Sequence, residues 1–206
     1  MRPIGLALAL ACLSTGSIAV AQSSASADAR VRKAMSSPSY RGAAKALESG
    51  HDQWVRDVVT ITEIPAPPFK ERKRAEAFAD MLRQRGLVDV EIDEEGNVLG
   101  RRPGTGGGDL VMVSAHLDTV FPEGTNIKVR KEANRLYAPG ISDDSAGLAT
   151  LLSLIDALKA GGVKTRSDLL FVGTVGEEGP GDLRGVRHLF TKGPYKDRIK
   201  AFFSVE

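Results

Sequence analysis

Leu110-Val111-Met112-Val113-Ser114-Ala115-His116-Leu117-Asp118 is the stretch on which the fold turns. Residues 110–115 are largely apolar on both alternating faces, the pattern of a strand that helices cover on either side. The run ends in an imidazole and a carboxylate two positions apart, and on extended chain such side chains share a face. A second apolar run, 168–175, leads straight into Glu177-Glu178. Between the two, Leu148, Leu151, Leu152, Ile155 and Leu158 recur at helical spacing, and Gly161-Gly162 ends the pattern.

Working outward, Trp54, Val55, Val58 and Val59 fall at helical spacing, and Pro65 stops that helix. Residues 71–85 are the next helix, with Ala75, Phe78, Ala79 and Leu82 on one face and Gly86 as terminator. Residues 88–92 and 97–99 predict a hairpin around Glu95-Gly96. A short helix over 182–190 and a last strand over 201–205 complete the pattern. Strands alternating with helices predict an α/β fold, a three-layer sandwich whose mostly parallel central sheet carries helices on both faces. Ligands of such folds gather beyond the carboxyl ends of the strands. His116, Asp118, Glu177 and Glu178 fall there, and Asp143-Asp144 just precedes a helix.

The 206 residues are 42% hydrophobic and 26% charged, as in ordinary globular chains. A formal charge of +2 does not point to nucleic acid. Residues 70–74 (Lys-Glu-Arg-Lys-Arg) carry both signs on a helix and read as a solvated face. Arg2, the apolar residues 4–13 and Ala19-Val20-Ala21 resemble a secretory signal over 1–21, which predicts a secreted or periplasmic protein. The apolar part is too short to span a bilayer, so no membrane association is expected after cleavage. Residues 22–50 read as a flexible or loosely helical lead-in, broken at Ser36-Ser37-Pro38, and 51–206 as the catalytic segment. The one cysteine, Cys12, lies inside the leader. Any metal in the mature chain must then be held by His and carboxylate, which suits a catalytic site.

The chemistry follows from crowding. Asp118 can accept a proton from the far nitrogen of His116, the usual orienting arrangement for a zinc-binding imidazole. Asp143 and Asp144 repel each other, and either the following helix N-terminus or a divalent cation must compensate. Capping by Asp144 or Ser145 is compatible with metal binding by Asp143. Two acids at the end of a buried strand raise the same problem at Glu177-Glu178, where one can bind metal while the other takes a proton from water. Nitrogen and oxygen donors of this kind suit zinc, cobalt or manganese.

These residues carry a resemblance. His116-Leu117-Asp118-Thr119-Val120, the segment from Tyr137 to Asp144, and Glu177-Glu178-Gly179 are similar to motifs of the zinc metallopeptidase family of carboxypeptidase G, tripeptide aminopeptidase and aminoacylase. Ile64-Pro65-Ala66-Pro67 resembles a segment near the start of that family's catalytic domain. The resemblance covers about residues 50–206. It implies a pair of zinc ions, with His116 on one, Asp143 bridging both, Glu178 as a ligand, and Glu206 as the partner ligand of His116. Glu177 would be the general base and Asp118 the orienting partner. A cis bond between Asp143 and Asp144 is implied as well.

The implied substrates are small peptides or N-acyl amino acids, with tripeptidase-like members favoured. In the family, a second histidine and a lid and dimerisation domain come later. The resemblance therefore makes 51–206 the front part of a catalytic domain, with a homodimer expected of the full-length parent. Of the remaining histidines, His51 precedes the domain and His188 reads as a surface or packing residue. Two rivals stay open. Secreted zinc aminopeptidases share the same order of motifs without a lid, although they prefer Asn or Gly-Ser beside the acid. A non-catalytic metal- or peptide-binding module could use the same scaffold.

Overall fold

In the computed structural model, which describes residues 26–206, the described chain opens with helices. Helix α1 covers 26–35 and α2 runs Pro38–Ser49. The break expected at Ser36-Ser37-Pro38 separates the two, and Pro38 starts the second. It occupies the first turn, where its missing N–H costs nothing, and Ser37 caps the end by accepting from the Tyr40 N–H. From residue 26 the lead-in is thus two helices, and α2 packs on the later helix α5, with Gly161 pressed against the backbone at Ser39 and Ala43. The predicted leader, 1–21, lies outside the described residues.

Helices α3 (His51–Thr62) and α4 (Arg72–Gln84) follow, and Gly86 closes the second in the left-handed region. Strands β1 (Val88–Ile92) and β2 (Val98–Arg102) form the expected antiparallel hairpin. The long strand β3 is Leu110–His116. A small hairpin, β4 (Arg130–Glu132) and β5 (Arg135–Tyr137), had no period-2 signal strong enough to read, since most of its residues are charged and exposed. Next come a turn over Ile141–Ser145, helix α5 (Ala146–Ala160) and strand β6 (Asp168–Thr174). Helix α6 (Arg184–Thr191) and strand β7 (Ile199–Ser204) end the chain.

The main sheet has the order β1-β2-β6-β3-β7. Strands β6, β3 and β7 are mutually parallel, and the β1-β2 hairpin extends them antiparallel beside β6. Alternate residues then face opposite layers. Val98, Val113 and Phe171 pack with Val58, Ile61, Phe78, Leu82 and Leu148 from α3, α4 and α5. Leu99, Met112, Leu170 and Val172 meet Leu189 of α6 on the other face. This is the three-layer arrangement that the double-sided apolar runs predict. Among the described residues no helix is long and apolar enough to cross a membrane.

Parallel pairing fixes the site. With Leu110 opposite Asp168, His116 comes opposite Thr174, so both strands deliver their following acids to one edge of the sheet.

Candidate metal centre

Beyond β3 the ladder continues for one residue, with the Leu117 N–H donating to the Thr174 carbonyl at 2.7 Å. The chain then turns, and the Asp118 carboxylate, fully buried, accepts from the backbone N–H groups of Glu177 (3.0 Å) and Glu178 (2.9 Å). One acid thus ties the loop after β6 to the end of β3. His116, Glu177 and Glu178 converge as a result, each offering a ligand atom within 4.8 Å of the others.

The imidazole of His116 is buried and held at both nitrogens. Nδ1 lies 3.0 Å from the Asp118 carbonyl oxygen and 3.6 Å from its carboxylate, and Nε2 lies 2.8 Å from Asp143 Oδ1. The sequence reading assigned the orienting contact to the Asp118 carboxylate. The main-chain oxygen makes the closer contact, while the carboxylate also accepts from the Glu177 and Glu178 amides. Asp143 itself is exposed. Asp144 is fully buried and accepts from the His116 N–H (2.8 Å) and the Gly147 N–H (2.9 Å). It caps the start of α5, and the Asp143–Asp144 peptide is cis, as the resemblance implies.

Electrostatics follow from this crowding. Burial alone would depress the His116 pKa, but the Asp118 contact and the charges of Asp144 and Asp118 outweigh it and hold it at about 9. Burial pushes Asp144 up to about 7. Glu178 is raised by burial and then by the nearby Asp143 charge. Asp118 moves the other way. Burial opposes its ionisation, yet the His116 contact and two backbone N–H donors keep it below the usual carboxylate range.

Of the six residues singled out, His116, Glu177 and Glu178 form the cluster, Asp143 joins it through His116, and Asp118 supports it from beneath. Glu206 does not join. Backbone register from Ser114 opposite Ser204 brings it level with His116, but its exposed side chain accepts from the Ser204 hydroxyl at 3.4 Å. Of the other histidines, His188 is buried 3.7 Å from Asp93 and Glu94, and His51 stacks on Trp54. Neither reaches the cluster.

Three polar groups near the site escaped the sequence reading. Arg74, placed on a solvated face, is buried, while Lys70, Arg72 and Lys73 around it are exposed. Glu71 is buried in an ion pair with Arg184 at 2.8 Å. Glu71 and Arg74 continue the i, i+3, i+4 stripe of Ala75, Phe78 and Leu82, and that periodicity was the signal against a solvated face. Asn97 is also buried. It accepts from the Val175 N–H at 3.1 Å and donates to Asp93 (2.8 Å) and the Gly185 carbonyl (3.1 Å).

Residues 112–206 match the model of Peptidase family M20/M25/M40. It is 31% identical over 134 residues to succinyl-diaminopimelate desuccinylase of Corynebacterium glutamicum, across 65% of this chain and 36% of that protein. It is 36% identical over 84 residues to carboxypeptidase G2 of a Pseudomonas species, across 40% of this chain and 20% of that one. The chain therefore spans between 20% and 36% of the length of these two relatives. Among solved structures, the di-peptidase Dug1p from Saccharomyces cerevisiae superposes with a TM-score of 0.68 at 18% identity, over 82% of this chain and 41% of that one. Aminopeptidase PepT from Bacillus cereus gives 0.62 at 22% identity, over 75% and 43%. These last two likenesses concern the fold.

Proposed function

We propose that the chain is the front part of a metal-dependent hydrolase that cuts amide bonds in small peptides or N-acyl amino acids. The observation that carries the reading is the convergence of His116, Glu177 and Glu178 ligand atoms within 4.8 Å, with Asp143 at the far nitrogen of the same imidazole. One nitrogen and several carboxylate oxygens at the carboxyl end of a parallel sheet form a donor set that fits zinc, cobalt or manganese. A solved relative at 14% identity and a TM-score of 0.54, from Bacillus subtilis, is described as a dinuclear metal-binding peptidase, which supports a two-ion site.

His116, Asp143 and Glu178 would hold the ions, and Glu206 would join them only if its side chain turned inward. A bound divalent cation supplies Lewis acidity toward a carbonyl and lowers the pKa of its water toward about 7. The remaining work falls to this chain's own groups. Glu177 takes the proton from water and returns it to the departing amine. Asp118 holds the Glu177 backbone in place through its N–H, and the Asp118 carbonyl fixes the tilt of the His116 ring. Tripeptidase-like specificity and a secreted or periplasmic location belong to this same proposal, as does a homodimer of the full-length parent.

Metal analysis after dialysis against Zn2+, paired with an activity screen across aminopeptidase, carboxypeptidase, dipeptidase and deacylase substrates, tests the reading. Glu177→Gln should keep its metal and lose about 10²–10⁴-fold in turnover. Wild-type turnover in that variant would remove Glu177 as the base. A folded chain that takes up no divalent ion in excess would end the proposal altogether.

A further inference from the structure

We propose that Arg74 is a positioning residue for the His116–Asp118 turn, clamping it to the segment before α4; the link to metal rests on the proposed function. Three of its donors are used, all on main-chain carbonyls. Nη1 donates to Leu117 at 2.9 Å, while Nε (3.0 Å) and Nη2 (2.7 Å) both donate to Ile64. The residue is only 2% exposed.

The position of the Leu117 carbonyl is what matters. It belongs to the peptide between Leu117 and Asp118, midway between the two residues that build the site. The preceding peptide is held by the β6 ladder through the Leu117 N–H. The following one is held by the Thr119 N–H, which donates to Ala66 at 3.0 Å. Arg74 supplies the remaining restraint. Its fork joins two chain segments 53 residues apart by serving the carbonyls of Ile64 and Leu117, the latter buried. From Leu117 the restraint passes to Asp118. The Asp118 carbonyl touches His116 Nδ1, and the carboxylate receives the Glu177 and Glu178 amides.

Charge supports the same assignment. A buried guanidinium bonded only to neutral carbonyls is costly unless nearby charges compensate. The fully buried carboxylates of Asp118 and Asp144 act on it electrostatically without touching it. Arg74 is thus the fixed cation behind a crowded acidic site. Its planar array of donors serves both carbonyls at once, a geometry that a lysine ammonium does not offer.

Arg74→Met and Arg74→Lys, made in the 206-residue chain, test this with two readouts, amide hydrogen exchange and Zn2+ affinity by calorimetry. The amides of His116, Glu177 and Glu178 should exchange about tenfold faster beyond any change at Leu170 and Val172 in the sheet, less so for Lys than for Met. Zn2+ should bind about 10–100-fold more weakly to the Met variant. If the three site amides simply track Leu170 and Val172, Arg74 is a general stability residue and the proposal fails. If Arg74→Lys matches wild type in both readouts, charge and not the clamp is what counts, and the proposal also fails. Should Arg74→Met not fold, Arg74→Lys carries the test. Should wild type bind no Zn2+, the proposed function falls, while exchange still judges Arg74.

Discussion

The His116 N–H donates to Asp144 Oδ2 at 2.8 Å, while the other oxygen of that carboxylate caps α5 through the Gly147 N–H. The end of a strand and the start of a helix, 28 residues apart, therefore share one buried acid. The ring of His116 also meets Asp143, so both members of the acid pair hold the same histidine, one at its backbone and one at its side chain.

Gly147→Ala should break that arrangement. A methyl group added at Gly147 would sit 1.9 Å from Asp144 Oδ1. Although alanine is the better helix former, we expect a net loss of stability of about 1–3 kcal/mol from the displaced buried carboxylate. Urea unfolding measures it, and a more stable variant would contradict the cap.

The metal-free chain should lose stability as pH rises from about 4 to about 9. Asp144 ionises near 7 in the folded chain against an ordinary 3.8, so its penalty is absent below 3.8 and complete above 7. His116 keeps its proton up to about 9 against an ordinary 6.5, so its contribution is complete below 6.5 and gone above 9. Both groups act in the same direction. Urea midpoints taken with chelator across this range test it, and Asp144→Asn should flatten the acidic half of the slope.

Metal uptake at pH 7 should release a proton. His116 is protonated there in the free chain, and a ligating imidazole must be neutral. Calorimetric titration with Zn2+ in two buffers of different ionisation heat reads the release as about one proton per His116 engaged. Identical heats in both buffers would show that His116 is not a ligand.

Asn97→Ala should destabilise the fold by about 1–3 kcal/mol, because it strands the buried Val175 N–H. Val175 lies two residues before Glu177, so weaker Zn2+ binding should accompany the lower urea midpoint. Loss of stability with unchanged affinity would confine Asn97 to the scaffold.

Much of this site could be read along the chain. Apolar runs on both faces announce covered strands, and the acids that follow them mark the strand ends. His116, Glu177 and Glu178 were legible on that ground, and Asp143 by its place before a helix. Less was legible wherever a polar residue has a buried use. Arg74 belongs by composition to a basic cluster that water would solvate, yet it is buried. The β4-β5 hairpin and the helical lead-in lack strong patterns of their own, and α2 is held by its packing on α5.

Period and composition settled the layers, the strand ends and the identity of the donors, because burying an apolar stripe depends on spacing that is written locally. Tertiary structure alone decided who serves whom. Parallel register set His116 beside the loop after β6, directing the Asp118 carboxylate to two amides and its carbonyl to the imidazole. It also left Glu206 facing Ser204 and buried Arg74 behind the turn. Hydrogen bonds reach about 3 Å, and no sequence spacing encodes which of several acids will stand within that distance of a given donor.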